Sequence, residues 1–192
     1  MATELSFSAP QAVIADPGGT FLLVADSQNN VVRRVFLGNA TMLTVAGQFR
    51  RAGYSSSGGL GTSAVLASPA ALWPDGAGGF FMGDSSNHVV QRVHANGSLV
   101  LVAGNSTAGW SGDGGVASAA MLNSPSALSS DNAGGLYVAE FGSNTIRQVC
   151  DASASSATPR AHNLFRFQIF SNGTIVTVAG YSSTPFFSGD GG

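Results

Sequence analysis

Residues 21–35 read FLLVADSQNNVVRRV, and the stretch returns twice, as FFMGDSSNHVVQRV at 80–93 and as LYVAEFGSNTIRQV at 136–149. Each copy closes on a shorter signature: TVAG at 44–47, LVAG at 101–104 and TVAG at 177–180. Asp26, Asp84 and Glu140 hold the same place in each copy, at steps of 58 and 56 residues. The prolines that open the units, Pro10, Pro69 and Pro125, step by 59 and 56. Gly104 to Gly180 is 76 residues, against 57 for Gly47 to Gly104, so the third copy carries an insertion. A period of this size predicts stacked supersecondary units, none able to bury its apolar face alone.

Each unit reads as four short strands. The first follows the proline (QAVIAD, AALWPD, SALSSD), and a glycine turn leads to a continuous apolar second strand. Such a run is the signature of a strand covered on both faces. The third strand is VVRRVF, VVQRVH or TIRQVC, and the fourth is MLTVAG, LVLVAG or IVTVAG. Between them stands a turn with Asn39, Asn96 or Asn172, and two of these precede glycine, a strong hairpin signal. The expected fold is all-β: three four-stranded antiparallel blades in an arc, at about 10–47, 69–104 and 125–180. Long connections fill 48–68 and 105–124, and the Ala/Ser-rich insertion covers 150–164. FSAP at 7–10 matches LASP at 66–69, and the final FSGDGG matches WSGDGG at 110–115, so the chain is expected to be part of a longer array.

Composition narrows the function classes. Only 9% of the 192 residues are charged, the net charge is -2, and every basic residue is arginine. That balance argues against a broad nucleic-acid or anionic-membrane footprint. The one cysteine, Cys150, excludes an internal disulfide. No apolar run is long enough for a spanning helix, and residues 1–20 lack the pattern of a secretory signal, so the compartment stays open.

Through VADSQNNVVRRV, TVAG and WSGDGG the chain resembles the NHL-repeat β-propellers, most closely those with an aromatic-Ser-Gly-Asp-Gly-Gly segment in each unit. It departs from them at Val31, Val89 and Thr145, where the family has a basic residue, and at 56–59, where GDGG has become SSGG. The resemblance implies a ring of blades and a binding role. Relatives bind proteins or RNA, and some related propellers are metal-dependent lyases or lactonases.

The residues themselves offer no assembled chemistry. GDGG at 112–115 lacks the Lys-Ser/Thr of a phosphate loop and reads as a tight turn. His88 and His94 belong at opposite ends of one strand and His162 in the insertion, so they do not converge as zinc ligands. There is no GxSxG elbow, and Cys150 has no histidine partner in the pattern. Asp26, Asp84 and Glu140 recur once per unit, as structural groups do, to cap the turn or pair with Arg33, Arg92 or Arg147. No catalytic residue, metal ligand or cofactor is therefore assigned, and a non-enzymatic interaction scaffold is expected. The alternatives are a metal-dependent propeller enzyme and an RNA-binding propeller.

In a four-strand meander the short turns share one end and the long loops the other. Binding residues belong on the long loops. The candidate face comprises Asn30, His88 and Asn144 with Arg50, Arg51, Tyr54, Trp110 and Phe187. The competing expectation is that Tyr54, Trp110 and Phe187 plug the gaps between blades. Asn39, Asn96, Asn105 and Asn172 fit the N-glycosylation sequon. Expected partners are a protein or other macromolecule, further blades, or a second copy.

Overall fold

The computed structural model describes residues 6–131, 134–150 and 173–180. The described chain is all-β, with single 3-10 turns and no α-helix. Blade 1 is the antiparallel sheet β1 (Pro10–Ala15), β2 (Phe21–Asp26), β3 (Val31–Phe36) and β4 (Met42–Ala46). Blade 2 holds β5 (Pro69–Pro74), β6 (Phe80–Asp84), β7 (Val89–Val93) and β8 (Leu99–Ala103). Blade 3 holds β9 (Pro125–Ser130), β10 (Gly135–Glu140), β11 (Thr145–Cys150) and β12 (Thr174–Gly180). Each sheet is paired in sequence order, which makes every unit a meander and the whole a partial β-propeller. The insertion beyond Cys150 lies outside the described residues.

The continuous apolar second strands follow from stacking. In β6, Phe80 and Met82 join the core with Leu23, Ala25 and Val32 of blade 1, while Phe81 joins the core with Leu136 and Val138 of blade 3. Side chains alternate across a strand, so a central blade needs apolar residues at both parities. Each such side chain stabilises by about 1.5–3 kcal/mol when buried. Among the described residues, the outer blades are covered on one face only. Val13 of β1 is 62% exposed, and Phe141 beyond β10 is 80% exposed.

The leucines of LASP and LNSP, not Tyr54 and Trp110, help fill the gaps between blades. Leu66 and Leu122 are fully buried, with Ala64, Ala117 and Ala120 packed in the same cores. The plug expectation for Tyr54 and Trp110 is thereby corrected: Trp110 is 41% exposed, and its Nε1–H donates to Thr177 Oγ1 at 3.1 Å.

Each long connection runs on to the outer edge of the following blade. Gly114 N–H donates to the Ile175 carbonyl, and Ile175 N–H donates back to Gly115. In the preceding unit Gly58 and Gly59 make the same exchange with Leu99. GDGG and its degraded SSGG form are therefore short edge segments laid on the fourth strand of the next blade. Such a segment shields an otherwise unpaired strand edge.

Candidate functional site

The end of each blade that carries the long loops is built from one repeated constellation. Asp26, Asp84 and Glu140 close the second strand and are buried. Each carboxylate accepts a backbone N–H from the linker before its own first strand: Ser8 at 2.7 Å, Ala67 at 2.7 Å and Asn123 at 3.2 Å. Each also accepts from the adjoining turn, through Asn29 Nδ2, Asn87 Nδ2 or the Ser143 hydroxyl. The carboxylates thus hold the entry of the first strand against the exit of the second.

Cations complete two of the three sites. Arg33 lies 3.5 Å from Asp26, and Arg147 lies 3.5 Å from Glu140. The expected Arg92–Asp84 pair does not form. Strand pairing sets Val24 opposite Arg33 and Val138 opposite Arg147, but it sets Met82 opposite Gln91, so Arg92 falls one residue out of phase. Its side chain points to the other face, where Nε and Nη2 donate to Asp75 Oδ2 at 2.9 and 2.7 Å. Asp75 closes the first turn of blade 2 by accepting Ala77 and Gly79 N–H, as Asp16 does in blade 1 with Thr20 and Phe21. That role went unforeseen, although an aspartate closes the first strand of every unit (QAVIAD, AALWPD, SALSSD).

Without a cation, burial pushes the Asp84 carboxyl up to about 7, against the hydrogen bonds from Asn87 and Ala67. Burial also raises Glu140, opposed by Ser143, by the Arg147 guanidinium and by the Asn123 N–H.

Asn30, His88 and Asn144 end the three turns in the left-handed conformation, at φ 56, 56 and 58°. Asparagine tolerates that region best among the non-glycine residues. Two of the side chains fasten adjacent blades. Asn30 Oδ1 accepts the Ser68 N–H at 2.9 Å, and His88 Nδ1 accepts the Ser124 N–H at 3.2 Å. Asn144 is exposed on the open side of blade 3, where it borders a hollow of about 200 Å³ with Phe141, Thr145 and Gly180. The glycines of TVAG and LVAG back these positions. Gly47, Gly104 and Gly180 have φ of 87, 93 and 87°, and a Cβ there would run into the carbonyl oxygen of Asn30, His88 or Asn144.

The loop that follows blade 1 offers a different surface. Phe49 is 52% exposed and lies between two guanidinium groups, Arg33 at 5.0 Å and Arg50 at 5.1 Å from the ring centre. Arg51 Nη1 donates to Gln48 Oε1 at 2.8 Å, and exposed Tyr54 follows in the same loop. Phe49 was not among the expected residues, although QFRR sets it beside Arg50.

Of the expected face, Arg50, Arg51 and Tyr54 therefore share one loop, and Trp110 lies along the edge of blade 3. Phe187 and the sequon at Asn172 lie outside the described residues. Asn39, Asn96 and Asn105 are exposed; Asn39 and Asn96 accept the hydroxyl of their own sequon through Oδ1. His88 and His94 stand at opposite ends of β7, and no cluster of three metal-ligating side chains occurs among the described residues.

No protein-family model matches the chain, and no curated protein matches it. Solved structures do. A protein of unknown function from Bacteroides thetaiotaomicron is similar at TM-score 0.63 and 19% identity, over 72% of this chain and 34% of that one. An auxiliary nutrient binding protein from Bacteroides ovatus is similar at TM-score 0.57 and 19% identity, over 71% of this chain and 36% of that one. A putative gluconolactonase is similar at TM-score 0.52 and 14% identity, over 73% of this chain and 44% of that one. These likenesses and the three meander sheets define the class: a partial β-propeller. The chain spans about a third of the first two proteins and less than half of the third.

Proposed function

We propose that this chain is a segment of an NHL-repeat-type propeller that acts as a non-enzymatic binding scaffold, with the loop after blade 1 as its contact surface. The observation that carries this reading is the Phe49 cluster. An exposed ring held between Arg33 and Arg50, with Arg51 and Tyr54 alongside, combines the side chains that most often anchor interfaces. The cluster suits a partner with acidic and apolar groups side by side. The groups that would otherwise suggest acid–base chemistry already have partners: Asp26 and Glu140 pair with arginines of their own blades, and His88 accepts from the linker of the next blade.

The test is partner capture on immobilised full-length protein, compared with a Phe49→Ala variant and an Arg50→Ala/Arg51→Ala double variant. Wild type is expected to retain a partner that both variants lose at unchanged melting temperature. Retention indifferent to these changes, or a stoichiometric zinc or calcium ion in the full-length protein, would contradict the reading.

A further inference from the structure

Blade 2 has one side-chain donor where blade 3 has two. Asp84 stands opposite Val89, so its side chain and that of Gln91 lie on one face of the sheet, as Glu140 and Arg147 do in blade 3. Arg147 serves both sides of its place at once: Nη1 lies 3.5 Å from Glu140, and Nη2 donates to the Ser111 carbonyl at 3.2 Å. Gln91 is fully buried and has a single NH2 group, which donates to the Ser55 carbonyl at 2.8 Å. Its Oε1 is buried with no donor among the described residues. A carboxyl that keeps its proton supplies the donor this place lacks.

The two amides beside Asp84 also hold the loop after blade 1. Asn87 Nδ2 is shared between Asp84 Oδ2 and the Gly53 carbonyl, each at 2.6 Å, and Gln91 Nε2 holds Ser55. Tyr54 stands between these two anchors. The charged groups around Asp84 are engaged elsewhere. Arg92 of β7 points to the other face and pairs with Asp75, and His88 at the end of the turn reaches Ser124. In blade 1, Asp26 and Arg33 pair with each other, and the linker at 66–69 carries no titratable group. In the loop itself, Arg50 lies over the Phe49 ring, Arg51 is held by Gln48, and Tyr54 is the titratable neighbour.

We propose that Asp84 and Gln91 form a proton-operated latch on the loop after blade 1, a regulation that rests on reading this loop as the contact surface. With the proton on Asp84, its hydroxyl donates to Gln91 Oε1, and Gln91 Nε2 stays on Ser55. When the proton leaves to solvent, the side-chain amide turns over. Nε2 then donates to the carboxylate, and Oε1 meets the Ser55 carbonyl, acceptor against acceptor. The Ser55 anchor is lost, and Tyr54 is freed on one side. Burial lifts the Asp84 carboxyl from 3.8 to about 7, which sets the exchange near neutral pH.

The test is NMR of the full chain from about pH 5.5 to 8.5, following the Gln91 side-chain amide and the Tyr54 and Ser55 backbone amides. All three are expected to shift together, with a midpoint of about 7. Asp84→Asn keeps a donor at every pH, and Gln91→Arg copies blade 3, so each should abolish the shift at Tyr54 and Ser55. Loop signals that stay flat in the folded wild type overturn the proposal. So does a titration that survives in Asp84→Asn, and this variant decides alone if Gln91→Arg does not fold. Phe49→Ala should leave the titration in place. Absence of the titration with partner capture intact therefore defeats the latch alone. A titration that is present while capture is indifferent to Phe49→Ala defeats the contact-surface reading alone.

Discussion

Arg147 is fully buried, yet its Nη2 lies 2.6 Å from an Asp113 carboxylate in the loop that precedes the blade. One blade earlier the same two places hold Gln91 and Ser57, and the contacts persist in neutral form. Gln91 Nε2 donates to Ser55 as Arg147 Nη2 donates to Ser111, and Ser57 accepts the Leu101 N–H as Asp113 accepts that of Thr177. The ion pair is exchanged as a unit. A buried guanidinium left without a carboxylate is costly, and Arg147 has two, Asp113 and Glu140.

That exchange sets the first prediction. Arg147→Gln alone strands Glu140 in the interior without its cation and should destabilise by about 3–5 kcal/mol. Asp113→Ser alone touches a side chain 39% exposed and should cost only about 1 kcal/mol. The double variant should be more stable than the two single losses predict, by at least about 0.5 kcal/mol. Denaturant titration of all four proteins measures the coupling, and simple additivity would refute it.

Asp84 has no cation, and its carboxyl is raised from 3.8 to about 7 in the folded chain. The folded state therefore binds more protons than the unfolded state across that window, and stability falls as pH rises from 3.8 to about 7. Asp84→Asn should remove this pH dependence and raise stability relative to wild type above neutrality. Melting temperatures from pH 4 to 8 check it. A variant less stable than wild type at pH 8 would show that the charged carboxylate is needed.

His88 acts with the opposite sign. Burial holds its imidazole below the ordinary 6.5, and the neutral Nδ1 accepts the Ser124 N–H. The unfolded state then takes up the proton first, so this contribution is present at neutral pH and lost as pH falls below 6.5. His88→Asn copies Asn30, so stability at pH 7.5 should hold and the acid loss shrink. The same difference curve against wild type, read below pH 6.5, decides it.

Trp110 and Leu122 exchange the ranks their sizes suggest. Leu122 is fully buried between blades 2 and 3, so Leu122→Ala should cost about 2–5 kcal/mol. Trp110 keeps 41% of its surface exposed along β12, so Trp110→Ala should cost roughly 1 kcal/mol. Urea unfolding of the two variants would reverse the assignment if the tryptophan proved the greater loss.

The blades, their strand order and the two-sided burial of β6 were legible because period and alternation are local properties. Arg33 and Arg147 were readable as partners of Asp26 and Glu140, since the charges recur one per unit. Arg92 was not, because a single residue's change of phase sends a side chain to the opposite face. The fastening roles of Asn30 and His88 depend on backbone groups 38 and 36 residues away, and no periodicity carries that information. The edge role of GDGG was hidden for the same reason. Glycines give a turn its backbone freedom but do not say which strand the turn lies against.

The central claim is that the repeated polar residues of the long-loop end pin the linkers, within a blade at Asp84 and Glu140 and between blades at Asn30 and His88. Amide hydrogen exchange resolved by residue tests it most directly. Ala67, Ser68, Asn123 and Ser124 sit in linkers outside the strands, yet their N–H groups donate to Asp84, Asn30, Glu140 and His88. All four should be protected to the level of the neighbouring strand amides. Exchange of these amides at the rate of an open loop, with the strands still protected, would contradict the account.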